Sequence, residues 1–135
     1  MNAVGLRETI AGAWSERAGG FWLRVHAHEV RGAARAMLEG GARLSALVTT
    51  PGEGGALRLW WSWDDAGTLL SVEIALAEGA AAPSIVDIYP GADWAEREAR
   101  DYYAVRFDGR ADTPPLMLRE GDAPGVLLRD RGGHS

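Results

Sequence analysis

The sequence predicts an α+β fold: two layers, a mixed or antiparallel sheet of about five strands, and helices on one face. Three observations predict it. Apolar residues recur first at helical spacing and then switch to strict alternation. The element order is α-β-α followed by several consecutive strands. Short turns, too brief for parallel crossovers, join those later strands.

Residues 3–18 place Leu6, Ile10, Ala13 and Trp14 at helical spacing among Arg7, Glu8, Glu16 and Arg17, which predicts an amphipathic helix stopped by Gly19-Gly20. Over 21–27 the period becomes two. Phe21, Leu23, Val25 and Ala27 alternate with Trp22, Arg24 and His26, the pattern of a half-buried strand. Val30, Ala33, Ala34, Met37 and Leu38 predict a second helix over 29–39, ended by Gly40-Gly41. Strands follow at 43–49, 56–63 and 68–76, the first two separated by the loop Pro51-Gly52-Glu53-Gly54-Gly55 and the last two by Asp65-Ala66-Gly67. The β-branched run at 84–88 predicts a fifth strand. Beyond Pro90-Gly91, Asp93 precedes Glu96 at capping-box spacing and opens a third helix reaching about Tyr103. Residues 1–110 thus read as a single α+β domain. Residues 111–135, rich in Pro and Gly and holding the triplets Leu116-Met117-Leu118 and Val126-Leu127-Leu128, read as an extended C-terminal arm.

Composition narrows the chemistry. The 135 residues include no cysteine, so thiolate clusters, disulfides and a cysteine nucleophile are excluded within them. All 14 basic residues are arginine, so a Schiff-base lysine and a Walker-A lysine are excluded too. A net charge of -5 argues against nucleic acid as a partner. No apolar run approaches the ~18 residues of a membrane helix, and the start, with no basic n-region and an early Glu8, is unlike a signal peptide. A soluble domain is expected, in contact with a membrane only indirectly.

The densest signal is the charged run from Asp93 to Asp101. On a helix it offers the i,i+4 pairs Asp93–Arg97, Glu96–Arg100 and Arg97–Asp101, with Glu98 and Asp101 at i,i+3 beside Trp94. Two carboxylates that close need a cation between them; Arg97 is the internal candidate. A solvated, salt-bridged face and a protein interface are both open readings. His26 and His28 would share one strand face, with Arg24 there opposing metal ligation. Trp60, Trp61 and Trp63 read as sheet core, with a ring-binding pocket as the alternative. No catalytic, cofactor-binding or metal-binding residues are assigned, and no cofactor is expected. The functional classes in play are an interaction subunit, a free-standing small-ligand-binding domain with a Trp-lined site, and a homo-oligomeric scaffold.

Ser84 to Gly109 resembles the C subunit of respiratory complex I, the NADH:quinone oxidoreductase. It equally resembles the matching subunit of membrane-bound energy-converting nickel–iron hydrogenases. That family's pattern is Ala-Asn-Trp-x-Glu-Arg-Glu-x-x-Asp-x-x-Gly-Ile-x-Phe-x-Gly-His-Pro. Ala92, Trp94, Glu96, Arg97, Glu98, Asp101, Phe107 and Gly109 match it in register, after a similar approach through Pro83-Ser84 and Tyr89-Pro90. Asp93 replaces Asn, Ala104-Val105 replaces Gly-Ile, and Arg110-Ala111 replaces His-Pro. Leu127-Leu128-Arg129-Asp130 stands where the family has Pro-Leu-Arg-Lys-Asp. The element order extends the resemblance to about 20–130. It implies a complex-I C-subunit-like fold and a non-catalytic subunit of an NADH dehydrogenase or hydrogenase complex. The implied partners are a large D-type, hydrogenase-like subunit and a small B-type subunit, through which the chain would lie on the inner, cytoplasmic face of the cell membrane. Trp94, Glu96, Arg97, Glu98, Asp101, Phe107 and Gly109 would then be structural or interfacial.

Overall fold

The computed structural model describes residues 3–110, 113–115 and 123–128. The elements in chain order are helix α1 (Ala3–Thr9), strands β1 (Ser15–Arg17) and β2 (Gly20–Arg24), and a 3-10 turn (Ala27–Glu29) leading into helix α2 (Val30–Glu39). Strands β3 (Arg43–Pro51), β4 (Leu57–Asp65), β5 (Thr68–Leu76) and β6 (Ala81–Pro83), helix α3 (Ala92–Tyr103) and strand β7 (Arg106–Asp108) complete the order. The main sheet is mixed and five-stranded, in the order β1-β2-β5-β4-β3, with β2 and β5 its parallel pair. β6 and β7 form a separate parallel pair.

Register divides the sheet into two unlike faces. Leu23 stands beside Val72, which faces Trp61, which faces Leu47. These residues pack with Leu59, Trp63, Leu70 and Ile74 against Leu6 of α1 and Val30, Ala34 and Met37 of α2 to form one core. Trp61 and Trp63 are the largest side chains fully buried in this core, and with the aliphatic rows around them they take apolar surface out of water. α3 lies on the same side, against β3. The β4–β5 hairpin is tightened by Asp64, whose carboxylate accepts the backbone N–H of Gly67 at 2.8 Å.

Four expectations are corrected. The first helix ends at Thr9, not at 18, and 15–17 are a strand. Gly12 lies in the break between them at φ +144°, a backbone conformation that favours glycine. The Trp14 indole then caps the helix by donating to the Ile10 carbonyl. The second strand ends at Arg24. His26 and His28 therefore lie in and beside the 3-10 turn, their rings stacked at 5.7 Å rather than ranged on a sheet face. Residues 84–88 are not a strand. The pairing falls three residues earlier, at 81–83, and Ile88 and Tyr89 both donate back to the Ile85 carbonyl. The Ser84 hydroxyl accepts the Val86 N–H, a local bond that competes with a ladder and overrides the β preference of Ile85 and Val86. Val25 is only half-buried, just past the strand's end.

In the C-terminal segment, 126–128 are helical and Gly125 donates to the Asp101 carbonyl near the end of α3. The triplet Leu116-Met117-Leu118 lies outside the described residues.

Candidate docking site around helix α3

The charged run forms the expected helix, but its charges are wired differently from the i,i+4 scheme. Asp93 and Glu96 make no capping box: Gly91 occupies the N-cap without a side-chain bond. Glu96 is fully buried and points at the loop before the helix. Its carboxylate accepts the Ser84 hydroxyl at 2.7 Å, the Ile85 backbone N–H at 2.9 Å and Arg110 Nη1 at 3.1 Å. Arg110 reaches it from just beyond β7 and also binds Asp93 at 2.7 Å. Three chain segments therefore meet on one carboxylate.

Burial of Arg110 disfavours its charge, yet the two carboxylates outweigh that and push its pKa up. The hydrogen bond from Arg110 holds Asp93 below the usual carboxylate range. Ser84 is the second node. Its N–H donates to the Asp108 carbonyl, and its own carbonyl accepts Arg31 Nη1. Arg31 in turn grips Asp87 through two bonds of 2.7 Å and lowers its pKa to about 2. Loop 84–89 is thus clamped to α2, α3 and β7.

Arg97 does not serve Asp101. It binds Asp93 at 3.4 Å and the Pro115 carbonyl at 2.7 Å, while buried Asp101 accepts Arg100 Nη1 at 2.9 Å. Arg100 therefore does not pair with Glu96 either. Phe107 is buried in β7, and Gly109, at φ +93°, makes the left-handed turn that delivers Arg110 to Glu96. Ala104 ends α3 at φ 57°, a left-handed conformation that costs a non-glycine residue strain. The family pattern has glycine there.

Trp94, Glu98 and Tyr102 stand at i, i+4 and i+8 on one side of α3. Trp94 is 61% exposed. Glu98 is half-buried and has no ion pair among the described residues. With Tyr102, Thr49 and Leu47 it lines a small cavity of about 30 Å³. Trp61 and Trp63 are buried on the core face and Trp60 lies on the other, so the three share no ligand site. Ser84, Arg31 and Arg110 do not stand out in the sequence as site residues. For Arg110 a signal is present: a buried carboxylate demands a cation, and the family has a basic residue at that position.

Residues 25–131 match the family model for the respiratory-chain NADH dehydrogenase 30 kDa subunit. The chain belongs to this family. Its relatives include the C subunit of the NADH-quinone oxidoreductase of Sinorhizobium medicae, 49% identical over 61 residues, which are 45% of this chain and 30% of that protein. Another, of the same name, is from Rhodopseudomonas palustris strain BisB18: 34% identical over 85 residues, 62% of this chain and 43% of the relative. A third, from strain BisA53 of that species, is named as the C/D subunit; it is 50% identical over 42 residues, 31% of this chain and 7% of that longer protein. The matched stretches thus span under half the length of these relatives. No described helix is long and apolar enough to cross a membrane.

Proposed function

We propose that this chain is a non-catalytic structural subunit of a membrane-associated, complex-I-like oxidoreductase, and that α3 docks the large, D-type, hydrogenase-like subunit beside the B-type subunit. Electron transfer belongs to the partners; this chain orders them at the inner face of the membrane. One observation carries the reading. α3 is immobilised from beneath by Glu96, Asp93 and Arg110, while its outer side holds an exposed tryptophan near Glu98, a carboxylate with no ion pair among the described residues. A rigid helix presenting an aromatic anchor loses little entropy on binding. Glu98 calls for an arginine or lysine on the partner, which would offset its desolvation. The relative named as the C/D subunit supports the pairing, since one polypeptide bears both letters in its name.

The test is co-expression with the large subunit encoded in the same genome, followed by affinity measurement. Trp94→Ala should fold normally and weaken the complex at least about tenfold, as truncation of a central anchor does. Glu98→Gln should weaken it less and reduce its salt sensitivity. Unchanged affinity in both variants would refute the docking role of α3. Binding to a quinone-type or a hydrogenase-type large subunit decides between those two complexes.

A further inference from the structure

The sheet face turned away from the helices carries an unusual set of side chains. Trp22 of β2 and Trp60 of β4 meet across it edge to face, with ring centroids 5.4 Å apart. Arg17 lies over the Trp22 ring at 4.9 Å, and Arg58 over Trp60 at 5.4 Å. Between them Glu73 of β5 is buried, clamped by Arg24 and Arg58. Beside them Ser62 and Ser71, also buried, bond to each other at 2.7 Å. The indoles of Trp22 and Trp60 are half-buried, and the β3–β4 loop flanks the face, where Gly52, Glu53 and Ala56 line a pocket with Arg24, Arg58 and Ala75.

Charge distinguishes this face from the rest of the chain. The molecule is acidic, with a net charge of -5. Here Arg24 and Arg58 share the buried carboxylate of Glu73 and Arg17 stacks on Trp22, so three guanidiniums stand against Glu73 and the exposed Glu53 at the rim. Arg24 remains 66% exposed and Arg58 39%. Guanidiniums stacked on indoles are held flat and weakly hydrated, with donors left over for a carboxylate fork. Tryptophan and arginine are also the side chains that most often anchor interfaces.

We infer that this face is a second docking surface, separate from α3, and that its occupant is an acidic polypeptide segment of a partner protein, whose carboxylates meet Arg17, Arg24 and Arg58 while its apolar residues cover Trp22 and Trp60. This rests on the sheet face alone and holds whatever large subunit α3 binds.

The experiment is an NMR titration of the isotope-labelled full chain with a blocked hexaglutamate peptide at low salt. The indole N–H signals of Trp22 and Trp60 should move progressively and saturate, and the response should fade with added salt. Hexalysine should leave them in place. Arg17→Glu, which spares the buried Glu73 cluster, should weaken peptide binding about fivefold or more. The inference is overturned if the two indoles ignore the peptide, or if Arg17→Glu binds it as well as wild type. Two further outcomes also overturn it. Indole shifts that follow protein concentration alone would make the occupant a second copy of this chain. A response to phosphatidylglycerol vesicles but not to the peptide would make it a membrane.

Discussion

Two buried glutamates, Glu73 and Glu96, lie in two regions of this molecule and are partnered in different ways. Glu73 sits on the outer face of the sheet, and its ion-pair partners Arg24 and Arg58 keep part of their length in water. Burial raises its pKa, but Arg58 and Arg24 together outweigh that and hold it below the ordinary value. Glu96 sits under α3, and its partners are a hydroxyl, a backbone N–H and an arginine whose side chain is only 11% exposed. The strands around Glu73 are fixed by their own ladders whatever the carboxylate does. Loop 84–89 has no ladder, so Glu96 and Ser84 supply its structure. A buried charge on a sheet is an addition to a finished fold; one at a loop–helix junction is part of the folding code.

Glu96→Ala should therefore have the largest effect, a loss of ~3–5 kcal/mol by chemical denaturation. It leaves Arg110 with Asp93 alone of its two carboxylates and takes the acceptor from the Ser84 hydroxyl and the Ile85 N–H. Glu73→Ala should cost only about 1–2 kcal/mol, because Arg24 and Arg58 can swing into solvent when their partner goes. Equal losses in the two variants would break the comparison.

Ala104→Gly sharpens it in the opposite direction. Relief of the left-handed strain at the end of α3 should raise stability by about 1 kcal/mol, read as a higher Tm. A neutral result would mean that the strain is absorbed elsewhere. Arg97→Ala should be milder, near 0.5 kcal/mol by the ~0.2–1 kcal/mol measured for exposed pairs, because Arg97 does not neutralise buried Asp101. A loss of several kcal/mol would restore the Arg97–Asp101 link.

Acid probes both regions at once. Asp87, with its pKa lowered to about 2, and Asp93 and Glu73, also lowered, bind protons less readily when folded than when unfolded. The unfolded chain takes up protons near pH 4. Their contribution is thus complete above that range and is lost as the pH falls through the folded values toward 2. Stability measured from pH 6 to 2 should decline, and Asp87→Asn should flatten part of that slope. A flat profile in wild type would contradict these assignments.

The alternation in the strands made the sheet readable from sequence. Leu23, Leu59, Trp61, Val72 and Ile74 are buried as that alternation requires, since a shift of one residue would turn every side chain over. The helical spacing gave α2 and α3 for the same reason, and the motif from Ala92 to Gly109 pointed to the family that residues 25–131 match. Local pattern failed at 10–18, where the chain passes through a positive φ at Gly12, and at 84–88, where a serine and a distant glutamate take the backbone bonds a strand would need. It failed again over the charges of α3. Spacing identifies which residues could reach one another on a helix surface, and Asp93–Arg97 is such a pair. It cannot identify Arg110, 14 residues beyond Glu96, as the cation that Glu96 receives, because that partnership exists only once β7 has brought the chain back. Periodicity is a property of neighbours along the chain and was settled by the sequence. The pairing of buried charges depends on which distant segments share a low-dielectric space, and only the tertiary structure decided that.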